Sequence, residues 1–258
     1  MPLEILPATE ADLPGCIAVH FAAFADVSMI HQIMYPKGVD DAVRADGLPP
    51  ATEDFRNPNI RFMKAVDTDA DDLQKVIAYS KWYFYKEERP REEWDVPWKA
   101  SRKLKDVNYD ALEAFIGQIK ESRKRIQGGS KHAREYSSLF LCNGRLMLLS
   151  PVLGVLVTLP SYYRRGLGQR LIDWGLKIAD EEGLVSYLEA TPTGYPLYYR
   201  NGFRDIPGEC LELDLKQFDW QGEGDGIQRT YCMKREPGGI KVIGGGDMEC
   251  VDGVCDWR

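Results

Sequence analysis

The residues best placed to do chemistry in this sequence are Arg164, Arg165, Gly166, Leu167 and Gly168. They follow the apolar run VLGVLVTL (152–159) and Pro160, and they precede Leu171, Trp174 and Ile178, which lie on one helical stripe. The order is strand, Arg/Gly-rich turn, helix. Glycines let a ligand approach the main chain closely, and the free N–H groups of a helix's first turn, together with its dipole, attract phosphate. Arg164 and Arg165 add positive charge at the same place. The same spacing also suits a tight strand-to-helix connection with two incidental arginines. Two familiar phosphate loops are excluded: Leu171 stands where a dinucleotide fingerprint has its third glycine, and no Gly-Lys-Ser/Thr serves a nucleoside-triphosphate loop.

Other reactive side chains carry less. The six cysteines, at 16, 142, 210, 232, 250 and 255, are too sparse and irregular for a disulfide scaffold and read as mostly reduced thiols. Cys250-x4-Cys255 has no nearby histidine to complete a tetrahedral metal site, so no metal is expected. His20, His31 and His132 are expected on helix surfaces or loops. Lys120, Arg123, Lys124 and Arg125 read as the solvated face of a helix.

Hydrophobic periodicity supplies the elements around the turn. Leu3 to Leu6 is a short strand stopped by Pro7. Thr9-x-x-Asp12 is a capping-box-like start for a helix carrying Leu13, Ile17, Phe21 and Phe24. Met29, Ile30, Ile33 and Met34 suggest a second, short helix before a Pro/Asp-rich loop. Phe62 to Val66 and Val76 to Tyr85 predict a β-hairpin across an acidic turn. Lys86 to Asp106 is dense in charge, with Pro90 and Pro97 excluding a continuous helix, and Leu112 to Ile126 then recurs at helical spacing. Val152 to Leu159 is the candidate central strand. Leu184 to Ala190, Leu211 to Leu215 and Ile227 to Met233 supply later strands.

With R-R-G-L-G behind its strand, and Leu197, Tyr198, Gly202 and Phe203 spelling L-Y-x-x-x-G-F about thirty residues later, the chain resembles the GNAT superfamily of acyl-CoA-dependent N-acyltransferases. About 150 to 170 residues take part, with about 86–143 as an insertion. The resemblance implies an α/β (α+β) fold: a mixed, mostly antiparallel central sheet flanked by helices. It implies that the strand before the turn splays from its neighbour and offers Val157, Thr158 and Leu159 to the pantetheine arm of acetyl-CoA, the acyl donor. Arg164, Arg165, Gly166, Leu167, Gly168 and Gln169 would hold the pyrophosphate. Tyr198 would protonate the departing thiolate, a step that a phenol can serve.

Three positions depart from the family pattern. Tyr163 stands where Gln or Arg is usual, Thr191 where many members have Asn, and the apolar Pro151, Val152 and Leu153 where some place a catalytic Glu. With no carboxylate on the central strand, Glu189 on the next strand is the candidate base; the competing reading gives Glu189 a structural hydrogen bond and leaves the amine proton to water. A backbone N–H of the splayed strand could meet the oxyanion. Trp82, Tyr83, Trp94 and Trp98 could line an acceptor pocket or cover the sheet.

The chain of 258 residues, 44% hydrophobic and 28% charged, is long enough to bury a sizeable core. It reads as one N-acetyltransferase domain over 1–236 with a flexible tail at 237–258. A net charge of -7 argues against a nucleic-acid partner, and the absence of an apolar run of about 18 residues against a membrane span. With neither a basic leader nor an apolar N-terminal run, a cytoplasmic location is expected. The expected activity is acetylation of a primary amine of a small molecule by direct attack. Transfer to a protein N-terminus or lysine, and a non-catalytic acyl-CoA sensor, are the alternatives; a monomer and a homodimer are equally open.

Overall fold

The computed structural model describes residues 3–25, 28–70, 75–84, 104–127, 151–240, 248–251 and 254–257. The expectations for Trp94, Trp98, His132 and Cys142, and for much of 86–143, lie outside these residues.

Seven strands form one sheet in the order β1-β2-β3-β4-β5-β7-β6. They are β1 (Leu3–Pro7), β2 (Ile60–Asp67), β3 (Ala78–Tyr83), β4 (Val152–Thr158), β5 (Ser186–Ala190), β6 (Arg204–Asp214) and β7 (Ile227–Arg235). Among the described residues of this sheet, only β4 and β5 pair in parallel, joined by a crossover helix; the other pairs are antiparallel. The sheet is therefore mixed and mostly antiparallel, and the apolar run beginning at Val152 is its middle strand. Pro7, which cannot donate to a ladder, sits on the edge strand where that costs nothing. Within the stretch read as a tail, β8 (Met248–Val251) and β9 (Val254–Trp257) pair antiparallel as a separate two-stranded sheet.

Helix α1 (Leu13–Phe24) follows a 3-10 turn at Glu10–Asp12. There the Asp12 carboxylate accepts from both the N–H and the hydroxyl of Thr9, each at 2.7 Å, and from Lys64 Nζ at 2.6 Å. Helix α2 (Met29–Met34) lies where the apolar spacing placed it. The loop expected after it contains two more helices, α3 (Asp41–Asp46) and α4 (Leu48–Arg56). The Asp40 carboxylate caps the first by accepting from the Val43 N–H at 2.9 Å, and Pro49 and Pro50 fall in the first turn of the second, where no N–H is needed. Asp and Pro here start helices instead of excluding them.

Helix α5 (Tyr109–Gln127) is the described part of the insertion, α6 (Leu167–Glu181) is the crossover, and α7 (Tyr195–Arg200) precedes β6. Two layers cover the sheet. On one face α6 and α7 bury Trp82, Leu153, Ile172, Leu176, Leu188 and Phe203. On the other, α1 packs Leu13, Cys16 and Val19 over Phe62, Tyr79 and Val157. Gly175 of α6 is required by this packing: a Cβ there would stand 2.1 Å from Cε2 of the fully buried Trp82 indole. Arg235 of β7, itself buried, donates to both oxygens of Asp180 near the end of α6, at 2.6 and 2.9 Å.

Candidate active site

Strand β4 pairs with β3 along its whole length, from Val152↔Tyr83 to Thr158↔Ala78, but with β5 only at Val152↔Tyr187 and Leu153↔Leu188. Beyond Leu153 the two middle strands part, so one edge of β4 is open. The separation coincides with a register shift of β4 against β3 between Lys81 and Trp82, and such a bulge re-aims the strand. Leu159 N–H donates to the Ile77 carbonyl at 2.8 Å, and antiparallel pairs alternate. The main-chain groups of Val157 and Leu159 therefore turn toward β3, and those of Leu156 and Thr158 turn into the split. Of the three residues expected to offer their backbone here, Thr158 does so; Leu156, which sequence reasoning passed over, shares that place.

The turn after β4 runs through a 3-10 turn at Pro160–Tyr162 and then two left-handed residues, Arg164 (φ 61°) and Gly166 (φ 77°). The first bond within α6 is donated by Arg170 to the Gly166 carbonyl at 3.1 Å. The N–H groups of Leu167, Gly168 and Gln169 thus have no acceptor within the helix, and together with the helix dipole they form a seat for an anion. Nothing stands within 4 Å of where a Gly166 Cβ would be, so the approach is open. Arg164 and Arg165 are exposed beside it, with the Arg165 guanidinium 4.6 Å from the Tyr162 ring centroid. The Gln169 side chain is occupied otherwise: it exchanges two hydrogen bonds with the amide of Asn201, at 2.7 and 3.0 Å, just past α7. Its main-chain N–H is what remains for the anion seat. These groups fit a pyrophosphate-bearing acyl donor.

Tyr198 sits in α7 and is 9% exposed, its ring 6.1 Å from that of Phe203 in an edge-on contact. Burial pushes its phenol up, which keeps it protonated at neutral pH. Thr191, at one of the departing positions, starts α7 by accepting from the Gly194 N–H at 3.2 Å. Tyr163, at another, donates to the Ala23 carbonyl of α1 at 3.4 Å.

Glu189 lies just past the last β4–β5 pair. Both of its oxygens accept from Arg123 of α5, at 2.7 and 2.6 Å. Taking an amine proton would break this bidentate pair, so its geometry favours the structural reading of Glu189 over the base. The basic face of α5 is accordingly not simply solvated: Arg123 holds Glu189, and Arg125 holds Glu209 at 2.8 and 3.1 Å.

Two further expectations change. His31 is interior, 5% exposed, and His20 is half-buried; burial pushes both imidazoles down to about 4, with His31 and Lys81 adding repulsion at His20. Trp82 covers the sheet beneath α6, whereas Tyr83 faces the opposite side, with its ring over Gly154. Among the described residues, no group of three or more His, Cys, Asp or Glu is placed to hold a metal, and no helix is long and apolar enough to cross a membrane.

No protein-family model matches the sequence. A stretch of 43 residues is 42% identical to a protein of Ajellomyces capsulatus described as "probable acyltransferase SID5"; it covers 17% of this chain, and the chain spans about a third (32%) of that relative's length. Among solved structures, the Drosophila melanogaster polyamine N-acetyltransferase that forms N-acetylagmatine superposes with a TM-score of 0.59 at 11% identity, over 91% of this chain and 100% of that one. A mosquito arylalkylamine N-acetyltransferase-like protein superposes with a TM-score of 0.57 at 15% identity, over 91% and 100%. The chain has the GNAT acetyltransferase fold.

Proposed function

We propose that this chain is an N-acetyltransferase that moves the acetyl group of acetyl-CoA to the primary amine of a small molecule by direct attack. The observation that carries the reading is the split between β4 and β5, which opens beside the unpaired N–H groups at the start of α6. Acetyl-CoA supplies a thioester carbonyl to the split. The N–H groups of Leu167, Gly168 and Gln169, with Arg164 and Arg165, seat its pyrophosphate. Main-chain groups of Leu156 and Thr158 pair with the extended arm, and an N–H of the same edge is aimed where the oxyanion develops. Tyr198 keeps its proton at neutral pH and gives it to the leaving sulfur. Water takes the amine proton, because Glu189 is committed to Arg123.

A small acceptor is favoured over a peptide because α5 lies on the acceptor side, tied to Glu189 and Glu209. That the two superposable structures are named for arylalkylamine and polyamine acetylation supports the same class. The test is release of CoA thiol from acetyl-CoA with a panel of amines, amino acids and peptides. Turnover with a small amine is expected. Tyr198→Phe should lower kcat at least tenfold, about 1.4 kcal/mol, while leaving acetyl-CoA affinity within about twofold. Binding of acetyl-CoA with no amine raising CoA release above hydrolysis would favour a non-catalytic sensor instead.

A further inference from the structure

What an acceptor carries besides its amine has to fit the α1 side of the split. Beyond Leu153 strand β4 has left β5, and this open stretch lies under α1: Val155, Val157 and Leu159 belong to the apolar cluster in which Ala23 and Phe24 pack. The Ala23 carbonyl accepts from the Tyr163 hydroxyl at 3.4 Å, which places the last turn of α1 beside the turn that starts α6. Helix α2 joins α1 to α5. Its Ile30, Ile33 and Met34 pack with Ala111 and Phe115, and the Met34 carbonyl accepts from the Asn108 N–H at 2.9 Å. The three helices form one layer on the side of the sheet where Arg123 holds Glu189.

Where α1 meets α2 the contacts are ring on ring. Phe24 meets His20 edge-on at 5.0 Å between centroids and lies stacked on His31 at 6.5 Å. Phe21 and Tyr35 complete the group, 5.4 Å from each other, with Tyr35 4.8 Å from His31. His20, Phe21, Phe24 and Tyr35 are half-buried, so part of each ring is left to solvent. His31 is 5% exposed, and its Nε2 has no hydrogen-bond partner among the described residues. Burial keeps both imidazoles uncharged at neutral pH. The group is a set of neutral ring faces around one buried, unmet nitrogen, and such a nitrogen destabilises the protein unless something pairs with it.

Charge decides which acceptor suits this place. Asp54 pairs with Lys81 at 2.7 Å and Glu189 with Arg123 at 2.6 Å. The distal cation of a polyamine must shed water to enter, and both of these carboxylates already hold a cation. An aryl ring carries no such penalty and gains edge-on and stacked contacts. A hydroxyl on that ring both donates and accepts, so it suits the His31 nitrogen in either tautomer.

We propose that the acceptor is a hydroxyaryl alkylamine: its ring lies against Phe24 and His20, its hydroxyl pairs with His31 Nε2, and its amine extends into the split. Phe24, half-exposed and stacked on His31, is the cover that turns to admit it. The assignment rests on the acetyltransfer reading above and narrows its acceptor class.

The experiment follows CoA release with tyramine, phenethylamine, hexylamine and agmatine for the wild-type protein, Phe24→Leu and His31→Phe. In the wild-type protein kcat/KM should be about tenfold higher for phenethylamine than for hexylamine, the scale of an aromatic pair. It should be about tenfold higher again for tyramine, the scale of one hydrogen bond to a buried group. Phe24→Leu keeps an apolar side chain and removes the ring, and should shrink the first ratio roughly fivefold. His31→Phe keeps the ring and removes the nitrogen, and should bring the second ratio close to unity. Each variant is read as a ratio between substrates, so a general loss of folded protein cancels. If agmatine, hexylamine or another amine of the wider panel outruns both aryl amines in the wild-type protein, or if either variant keeps its wild-type ratio, the ring site is wrong while acetyltransfer stands. If no amine raises CoA release above hydrolysis, the acetyltransfer reading falls and takes this assignment with it.

Discussion

The two faces of the sheet at the split are built by different physics. On the α6/α7 side the groups are apolar and fitted by volume: Trp82 lies against Gly175, and Phe203 and Tyr198 close the end. On the α1/α4/α5 side the apolar cluster under α1 is joined by charged contacts that run between distant parts of the chain, Asp54 to Lys81, Lys64 to Asp12, Arg123 to Glu189 and Arg125 to Glu209. The first kind of face specifies a shape that many sequences of one fold can share. The second adds an arrangement of charges, which under the proposed acetyltransfer would help to choose the acceptor.

Gly175→Ala tests the packed face most severely. The new methyl cannot be placed without moving a fully buried indole, so a loss of about 3 kcal/mol in urea unfolding is expected, partly restored by Trp82→Phe in the same chain. A loss below about 0.5 kcal/mol would mean that this face is as adaptable as the other.

Acid should single out the α1 side, where His31 lies against Phe21 and Phe24. The folded-state pKa of His31 lies near 4, below the unfolded value of about 6.5, so its contribution is present above that unfolded value and is lost as pH falls toward 4. The loss amounts to at most ~3 kcal/mol. Urea midpoints at about pH 7 and about pH 5 should differ more for the wild-type protein than for His31→Phe, where this linkage is gone.

Removing one partner of a charge pair gives a smaller effect. Arg123→Met leaves Glu189, 11% exposed, without its cation; roughly 2 kcal/mol of stability should go. If the pair also shapes the acceptor side, the acceptor KM should rise while the acetyl-CoA KM holds. A rise in both would erase the division of labour between the faces. The smallest effect belongs to the exposed Arg165. Arg165→Ala should weaken acetyl-CoA binding by about threefold or less, and the difference should shrink as salt is raised.

The parts of the molecule that were legible in the sequence are those whose signal is local. The run from Val152, the Arg164–Gly168 turn and the L-Y-x-x-x-G-F stretch each carry their own period or glycine, and β4, α6 and α7 stand where these placed them. Helices α3 and α4 were missed because Asp and Pro were read as loop formers when they were starting helices. The phase of β4 was missed because it is set across the sheet, at the register shift beside Lys81 and Trp82, and Gly154 is its one trace in the sequence. Glu189 looked available as a base because its partner lies 66 residues away on the insertion, and His31 looked like a surface residue because its covering rings come from Phe21, Phe24 and Tyr35. Tertiary partners of that kind leave no spacing to read.

The amide exchange between Gln169 and Asn201 has a mechanical consequence. Arg235 donates to the Asn201 carbonyl at 2.9 Å while gripping Asp180, so the first turn of α6 and its far end are strapped to the same asparagine beside α7. The two helices and β7 are thereby braced against one another. The other lip of the split lacks that brace: there β4 hangs on β3 and α1, and Tyr163 reaches Ala23 through one hydrogen bond of 3.4 Å, so this lip is the one expected to give when a ligand enters.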